Sequence, residues 1–317
     1  MLHPLVFNLL VLIASLYLLY KSADLLIYGI SHYAKKMGLS DAIIGLVVVA
    51  MAASSPEIIS ALTGFASGET SIGYGTILGT NMVHAGFAIG ILALIFKKIK
   101  LDREIFASER LFLWLILMLP FLLIILGSGL SRTDGAILVL VFVIYLLNLW
   151  RAEGTLGKLK KNVKLKTIWR DSAIFLGCLT ALMLSGRWLV FSAVNIADYF
   201  SIPSYFIALT VIGIGTTLPD IAVEFRSEKR KHGGIGMGDL IGSLAIELLL
   251  FFGIVALISP ITINLKEAGN ALFFLAIAIT FLILLLKQKE ITWKHGLVFL
   301  GMYFVFLIIE IWRIANF

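Results

Sequence analysis

Glu57 and Asp220 each stand one residue after a proline inside a strongly apolar run, and they lie 163 positions apart. Their surroundings repeat at the same spacing. Ser54-Ser55-Pro56-Glu57 aligns with Thr217-Leu218-Pro219-Asp220, and Gly73, Gly75 and Gly79 align with Gly236, Gly238 and Gly242. Thr80 falls on Ser243, His84 on Glu247, and the ladder Ile44, Leu46, Val48 on Ile207, Leu209, Val211. These residue types bind hard cations. A proline lacks an amide hydrogen, so Pro56 and Pro219 free the carbonyls four residues back, at Ala52 and Gly215. On a helix, Glu57 shares a face with Ser54, and Asp220 shares one with Thr216 and Thr217. Thr80 and His84, like Ser243 and Glu247, are four residues apart and share a face too. Hydroxyl, carboxylate and carbonyl oxygens are the ligand set of calcium and related ions. Histidine adds a proton acceptor and a ligand for zinc-like metals.

The elements that hold these residues must cross a membrane. Sixty per cent of the chain is hydrophobic and 14% is charged, with a mean hydropathy of +1.02; soluble domains carry roughly 25% charge. Apolar runs follow one another along the chain, and without water they must form helices. We place ten, at about 4–31, 41–65, 70–96, 108–128, 133–150, 170–198, 203–226, 234–258, 268–286 and 295–314. The first run is too long for a signal peptide and is read as a retained helix. The longest connection runs only from Arg151 to about Trp169, which leaves no room for a soluble domain. Cys178 is the single cysteine, so no disulfide forms within the chain.

Net charge is +7, but its distribution argues against nucleic acid. Of 26 basic residues, 21 fall in the connections after the first, third, fifth, seventh and ninth runs or at the run ends that border them. That asymmetry places these loops in the cytoplasm and both termini on the extracellular side, with anionic lipid as the partner of the loops. Five helices per copy is an odd number, so the second copy enters the membrane inverted. The expected fold is an all-α integral membrane protein of ten transmembrane helices in two inverted five-helix repeats, with broken helices at the ion site. Residues 1–150 form the first repeat, 151–169 a basic cytoplasmic linker and 170–317 the second repeat, with the duplicated motifs at 45–85 and 208–248.

At these motifs the chain resembles the cation/calcium exchangers, which include the sodium/calcium exchangers, over nearly its whole length. The family's two alpha-repeats read Gly-Thr-Ser-x-Pro-Glu/Asp followed by Gly-Ser-Asn-x-x-Asn/Asp. Here they read Ala52-Ala53-Ser54-Ser55-Pro56-Glu57 with Gly79-Thr80-Asn81-Met82-Val83-His84, and Gly215-Thr216-Thr217-Leu218-Pro219-Asp220 with Gly242-Ser243-Leu244-Ala245-Ile246-Glu247. The lead-in Lys21 to Gly29 is similar as well. The resemblance implies ion ligands at Ser54, Glu57, Thr80, Thr216, Thr217, Asp220, Ser243 and Glu247, with backbone carbonyls near Ala50 and Gly213. His84 joins them by position. It also implies exchange of calcium for sodium by alternating access, the first and sixth helices sliding as a pair.

Departures from the pattern bear on the coupling ion. Ala53 stands where the family has threonine, His84 replaces an asparagine or an acid, and Glu247 is one methylene longer than aspartate. Three carboxylates against one calcium leave a negative charge, which a co-bound cation or a proton would balance. The activity the resemblance implies is antiport of calcium for sodium. The alternative is proton-coupled exchange of calcium or of manganese, zinc or magnesium through His84, and potassium is a further candidate co-ion. No cofactor, enzyme activity or nucleic-acid partner is expected. The chain is expected to work as a monomer in the cell membrane. None of the five histidines forms a His-x-x-x-His pair, which excludes that hydrolase signature. Asp24 and Arg187, also 163 apart, are expected to pair, Glu224 to sit at a solvated helix end, and Asp239 to lie on the ion path or at its entrance.

Overall fold

The computed structural model describes residues 3–37, 54–100, 110–152, 168–229, 233–288 and 290–316. Helices dominate, as they must where backbone groups have no water to bond. The first half runs α1 (Pro4–Met37), α2 (Ser55–Ala66), α3 (Thr70–Met82), a π segment π1 (Val83–Ala88) and α4 (Ile89–Phe96). It continues through β1 (Lys98–Lys100), α5 (Arg110–Gly127), β2 (Gly129–Leu130) and α6 (Arg132–Ala152). The second half runs α7 (Ile168–Phe200), α8 (Ser204–Ile207), π2 (Ala208–Ile212), α9 (Gly213–Lys229), α10 (Gly233–Ala245), π3 (Ile246–Phe251) and α11 (Phe252–Ile258). It ends with β3 (Ile261–Thr262), α12 (Leu265–Leu285), β4 (Glu290–Thr292) and α13 (Trp293–Ala315).

The sequence duplication is written into these boundaries. Both ends of α3 and α10, and both ends of π1 and π3, are 163 residues apart. Five stretches among the described residues are long and apolar enough to cross a membrane: Thr70–Phe96, Arg110–Gly127, Met237–Ile258, Leu265–Leu285 and Trp293–Ala315. Their burial sorts them into centre and rim. The first and third are 83% and 78% buried in their most apolar window, whereas Arg110–Gly127 and Trp293–Ala315 are only 33% and 22% buried. Leu111, Leu126, Ile308 and Trp312 project outward from the rim helices, the arrangement that a lipid surround favours.

The two halves interleave. β1 pairs antiparallel with β4 and β2 with β3, so each two-stranded ribbon takes one strand from each half. Helix packing crosses in the same way. Gly135 of α6 lies against Gly253 of α11, and Gly90 of α4 against Gly296 of α13, each pair close enough for backbones to touch. Small residues permit that approach where helices associate in lipid. α1 and α7 pack along each other and share an apolar cluster of their own with Ile72, Ala208 and Ile212. Side chains tie α12 into the bundle: Tyr74 donates to Glu267 Oε2 at 2.8 Å, Trp114 to Thr280 at 3.0 Å and Asn270 to Glu310 at 3.0 Å.

Several expected boundaries shift. Arg151 and Ala152 belong to α6, and residues 168–169 to α7, so the connection between halves is shorter than 151–169. The run expected at 203–226 is a short helix, a π segment and a longer helix. Pro56 sits in the first turn of α2, where its missing amide costs no helical bond. Pro219 lies within α9, so the irregular backbone of the second copy is π2 rather than a break at the proline.

Candidate ion-binding site

Four helices bring the candidate residues together at the centre of the bundle. α2 carries Glu57 one turn after Ser54, α3 carries Thr80, α9 carries Thr216, Thr217 and Asp220, and α10 carries Ser243. His84 and Glu247 occupy the second position of π1 and π3. A π turn holds one residue more than an α turn and recurs at functional sites. All nine of these side chains except Thr216 are fully buried, and Thr216 is 1% exposed. Ala50 lies outside the described residues, as do Ala52 and Ala53.

α3 meets π2 and the start of α9 backbone to backbone, which lets residues of α3 and α9 reach one site. A Cβ on Gly79 would stand 2.4 Å from the Leu209 carbonyl oxygen, and one on Gly213 would stand 2.9 Å from the carbonyl carbon of Gly79. Across that crossing the hydroxyls of Ser54 and Ser243 are 3.2 Å apart. Thr80 lies 2.6 Å from Glu247 Oε2 and 3.0 Å from the Ile77 carbonyl. Its single proton goes to the nearer, charged acceptor. Thr217 donates to the Gly213 carbonyl at 2.6 Å and Thr216 to the Ile212 carbonyl at 2.9 Å. With their protons committed backward, both threonines present lone pairs forward, as cation ligands do.

His84 is the hub of the acids. Its Nε2 lies 3.1 Å from Asp220 Oδ2 and 3.7 Å from Glu247 Oε1, and its Nδ1 lies 3.9 Å from Glu224 Oε1. One ligand atom each from His84, Asp220 and Glu247 falls within 4.8 Å of the others. Calcium–oxygen bonds are about 2.3–2.6 Å long, so ligands on opposite sides of one ion are about 5 Å apart. The trio therefore matches the span of a single ion. Glu57 is within electrostatic reach of Asp220 and Glu247, and neither of its oxygens has a hydrogen-bond partner among the described residues.

The structure adds three residues. Asn81 donates to Glu247 Oε2 at 2.8 Å and to the Ile77 carbonyl at 2.7 Å. Its mate in the second copy is the apolar Leu244, an asymmetry that could have marked it. Glu224 is 1% exposed and faces His84; the expectation of a solvated helix end is wrong, because π1, α4 and α10 surround it. Asp239 is fully buried and within electrostatic reach of Asp220, Glu224 and Glu247. Arg187 is exposed on α7, and the Asp24 side chain lies outside those described, so their expected pairing is not visible here.

Comparison with known proteins identifies this architecture. The chain is 30% identical over 281 residues to a protein of Alkalimonas amylolytica named as an antiporter, CaxA, covering 86% of this chain and 88% of that one. It is 27% identical to the inner membrane protein YrbG of Escherichia coli K12 (95% and 96% covered). It is 24% identical to the sodium/calcium exchanger MaX1 of Methanosarcina acetivorans (95% and 98% covered). In fold it is similar to the H+/Ca2+ exchanger CAX, with a TM-score of 0.80 at 17% identity over 95% of this chain and 82% of that one. The sodium-calcium exchanger NCX_Mj superposes with a TM-score of 0.71 at 23% identity over 96% and 99%. Its family and its structural neighbours are secondary transporters rather than enzymes. A sequence model matches residues 7–151 and 172–312, both halves and nearly the full length, and so the chain belongs to the sodium/calcium exchanger protein family.

Proposed function

We propose that this protein is a cation antiporter that exchanges Ca2+ for Na+ across the cell membrane by alternating access. The observation that carries the reading is the buried site, built from both copies of the duplicated motif, in which His84 meets Asp220 and Glu247 and Glu57 is within electrostatic reach of those two acids. The acids would hold Ca2+ together with the hydroxyls of Ser54, Thr80, Thr216, Thr217 and Ser243 and carbonyls near Ala50 and Gly213. Ions held there neutralise carboxylates that are costly at membrane depth. A loaded site can then be re-exposed on the other side, whereas an empty, charged one resists the change. That difference in stability couples the two fluxes.

We read the ten helices as two inverted repeats, supported by the shared 163-residue offset of α3 with α10 and π1 with π3. In this reading α1 and α7 slide as a pair across the rest, the termini face outward and one chain suffices. A charged thiol reagent that labels a cysteine at Asn316 only from the cytoplasmic side would refute the orientation.

A second reading has its own observation. Nε2 of His84 lies 3.1 Å from Asp220, so a divalent ion at Asp220 must compete with the imidazole, and a proton on it would link ion binding to pH. The decisive experiment is radioactive calcium uptake into proteoliposomes under a sodium gradient or a pH gradient. Sodium-driven uptake supports the first reading. Uptake driven only by protons, and lost in His84→Asn, supports the second. No uptake under either gradient would remove calcium as substrate and turn the assay to manganese, zinc and magnesium.

A further inference from the structure

One group of acids lies off the mid-membrane site and in one copy only. Glu224 and Glu228 stand one turn apart on α9, and both line a narrow cleft with room for about one water-sized particle, walled by Ile89, Leu92, Met237 and Leu240. Ile99 of β1 lines it as well, so the cavity lies toward the end of the bundle that carries β1 and the C-terminal end of α9. Its inner end reaches the ion site, because Glu224 Oε1 is 3.9 Å from His84 Nδ1. Both oxygens of Glu224 and one of Glu228 lack hydrogen-bond partners among the described residues. Glu224 is 1% exposed, and no lysine or arginine among the described residues lines the cavity. Burial of carboxylates in an apolar wall is unfavourable unless cations meet them there.

The duplication supplies a comparison within the same molecule. At the 163-residue offset Glu224 corresponds to Ala61, Glu228 to Phe65 and Asp239 to Thr76. In the first copy Phe65 packs its ring on Gly73, with ring carbons 2.7 Å from where a Cβ would stand. A need of the scaffold itself would recur in both copies; these acids do not. Their placement is specific to one side of the membrane.

We propose that Glu224 and Glu228 form a cation-selective vestibule, with a transient site for a divalent cation, between the β1 end of the bundle and the His84–Asp220–Glu247 cluster. The inference rests on the exchanger reading above. Glu228, partly exposed, meets the ion first. Glu224 passes it to the central acids, and Asp239 keeps the inner end negative. Low-dielectric walls lined by one sign of charge concentrate counter-ions, so the vestibule raises ion occupancy from that side alone.

Calcium self-exchange in proteoliposomes tests this without invoking a coupling ion, with calcium varied on one face at a time. Glu228→Gln should raise the half-saturating calcium concentration by about tenfold on the β1 face and leave the opposite face unchanged. No change on either face, or an equal change on both, would overturn the vestibule. A second measurement needs no transport. In full-length protein carrying Glu228→Cys and Cys178→Ser, a cationic methanethiosulfonate reagent applied from the β1 face should react about tenfold faster than an anionic one. Equal rates would overturn the proposal. A wild type that exchanges no calcium would sink the calcium reading, while the thiol rates would still decide the vestibule.

Discussion

Glu247 shows how neighbours hold a buried acid in place. Thr80 and Asn81 both donate to Oε2, while Oε1 has no hydrogen-bond donor and faces His84. Replacing Asn81 with leucine, the residue at its mate, should leave a buried carboxylate short of a donor at a cost of about 1–3 kcal/mol. The expected result is a lower melting temperature for the purified protein. Glu57 plays another part, since neither of its oxygens has a hydrogen-bond partner among the described residues, while Asp220 faces His84 Nε2 at 3.1 Å. Glu57→Gln and Asp220→Asn should keep the fold but cut calcium exchange about 100-fold or more, equivalent to about 2.8 kcal/mol of lost ion or transition-state stabilisation. Retention of exchange in either variant, in a folded protein, would remove that residue from the site.

At the scale of elements, the close crossing of α3 with π2 and the start of α9 makes the site possible. Gly79 admits the Leu209 carbonyl where a methyl group would collide with backbone, and backbone cannot swing aside as a flexible side chain can. Gly79→Ala should therefore destabilise by about 1–3 kcal/mol and also weaken calcium binding, because Thr80 and His84 move with α3. Gly269→Ala, on α12 with nothing within 4 Å of the new methyl, is the matched control and should be neutral or slightly stabilising. Thermal unfolding of both variants separates a crossing constraint from a general effect of glycine replacement. The π segments belong to this scale too. π1 and π3 each widen a transmembrane helix at the imidazole or acid it presents, so the helix can both span the bundle and turn a polar side chain inward.

At the scale of the molecule, the two halves are not independent bodies. Each supplies one strand to both ribbons, and the α4–α13 and α6–α11 contacts cross between them. Both halves also contribute side chains to the candidate ion site. Residues 1–152 and 168–317 made as separate chains in one cell should therefore copurify through a tag on either half. Each made alone should be degraded or aggregate, because its interface would lose its packing partners. A half that purifies alone as a monodisperse, heat-cooperative species would show the interleaving to be dispensable. The vestibule also belongs to the whole molecule, since α4, β1, α9 and α10 all contribute to its walls.

Much of this was legible in the residues themselves. A repeat at constant offset, an acid after a proline in an apolar run and lopsided basic connections can all be read along the chain, because they are matters of order and composition. They led to the membrane setting, the duplication, the family and the central acids Glu57, Asp220 and Glu247 with His84. Other features depended on neighbours far away in sequence. Whether Glu224 is wet or dry is decided by what packs over α9, so its burial and its contact with His84 had no local signature. Asn81 earned no role from its own helix, because its acceptor is 166 residues away. The π turns leave no propensity mark, since a widened turn is stabilised by the packing around it rather than by the residues within it. Order along the chain thus determined which groups could bind a cation. Tertiary packing decided which of them meet, because distance and burial belong to pairs of residues rather than to single ones.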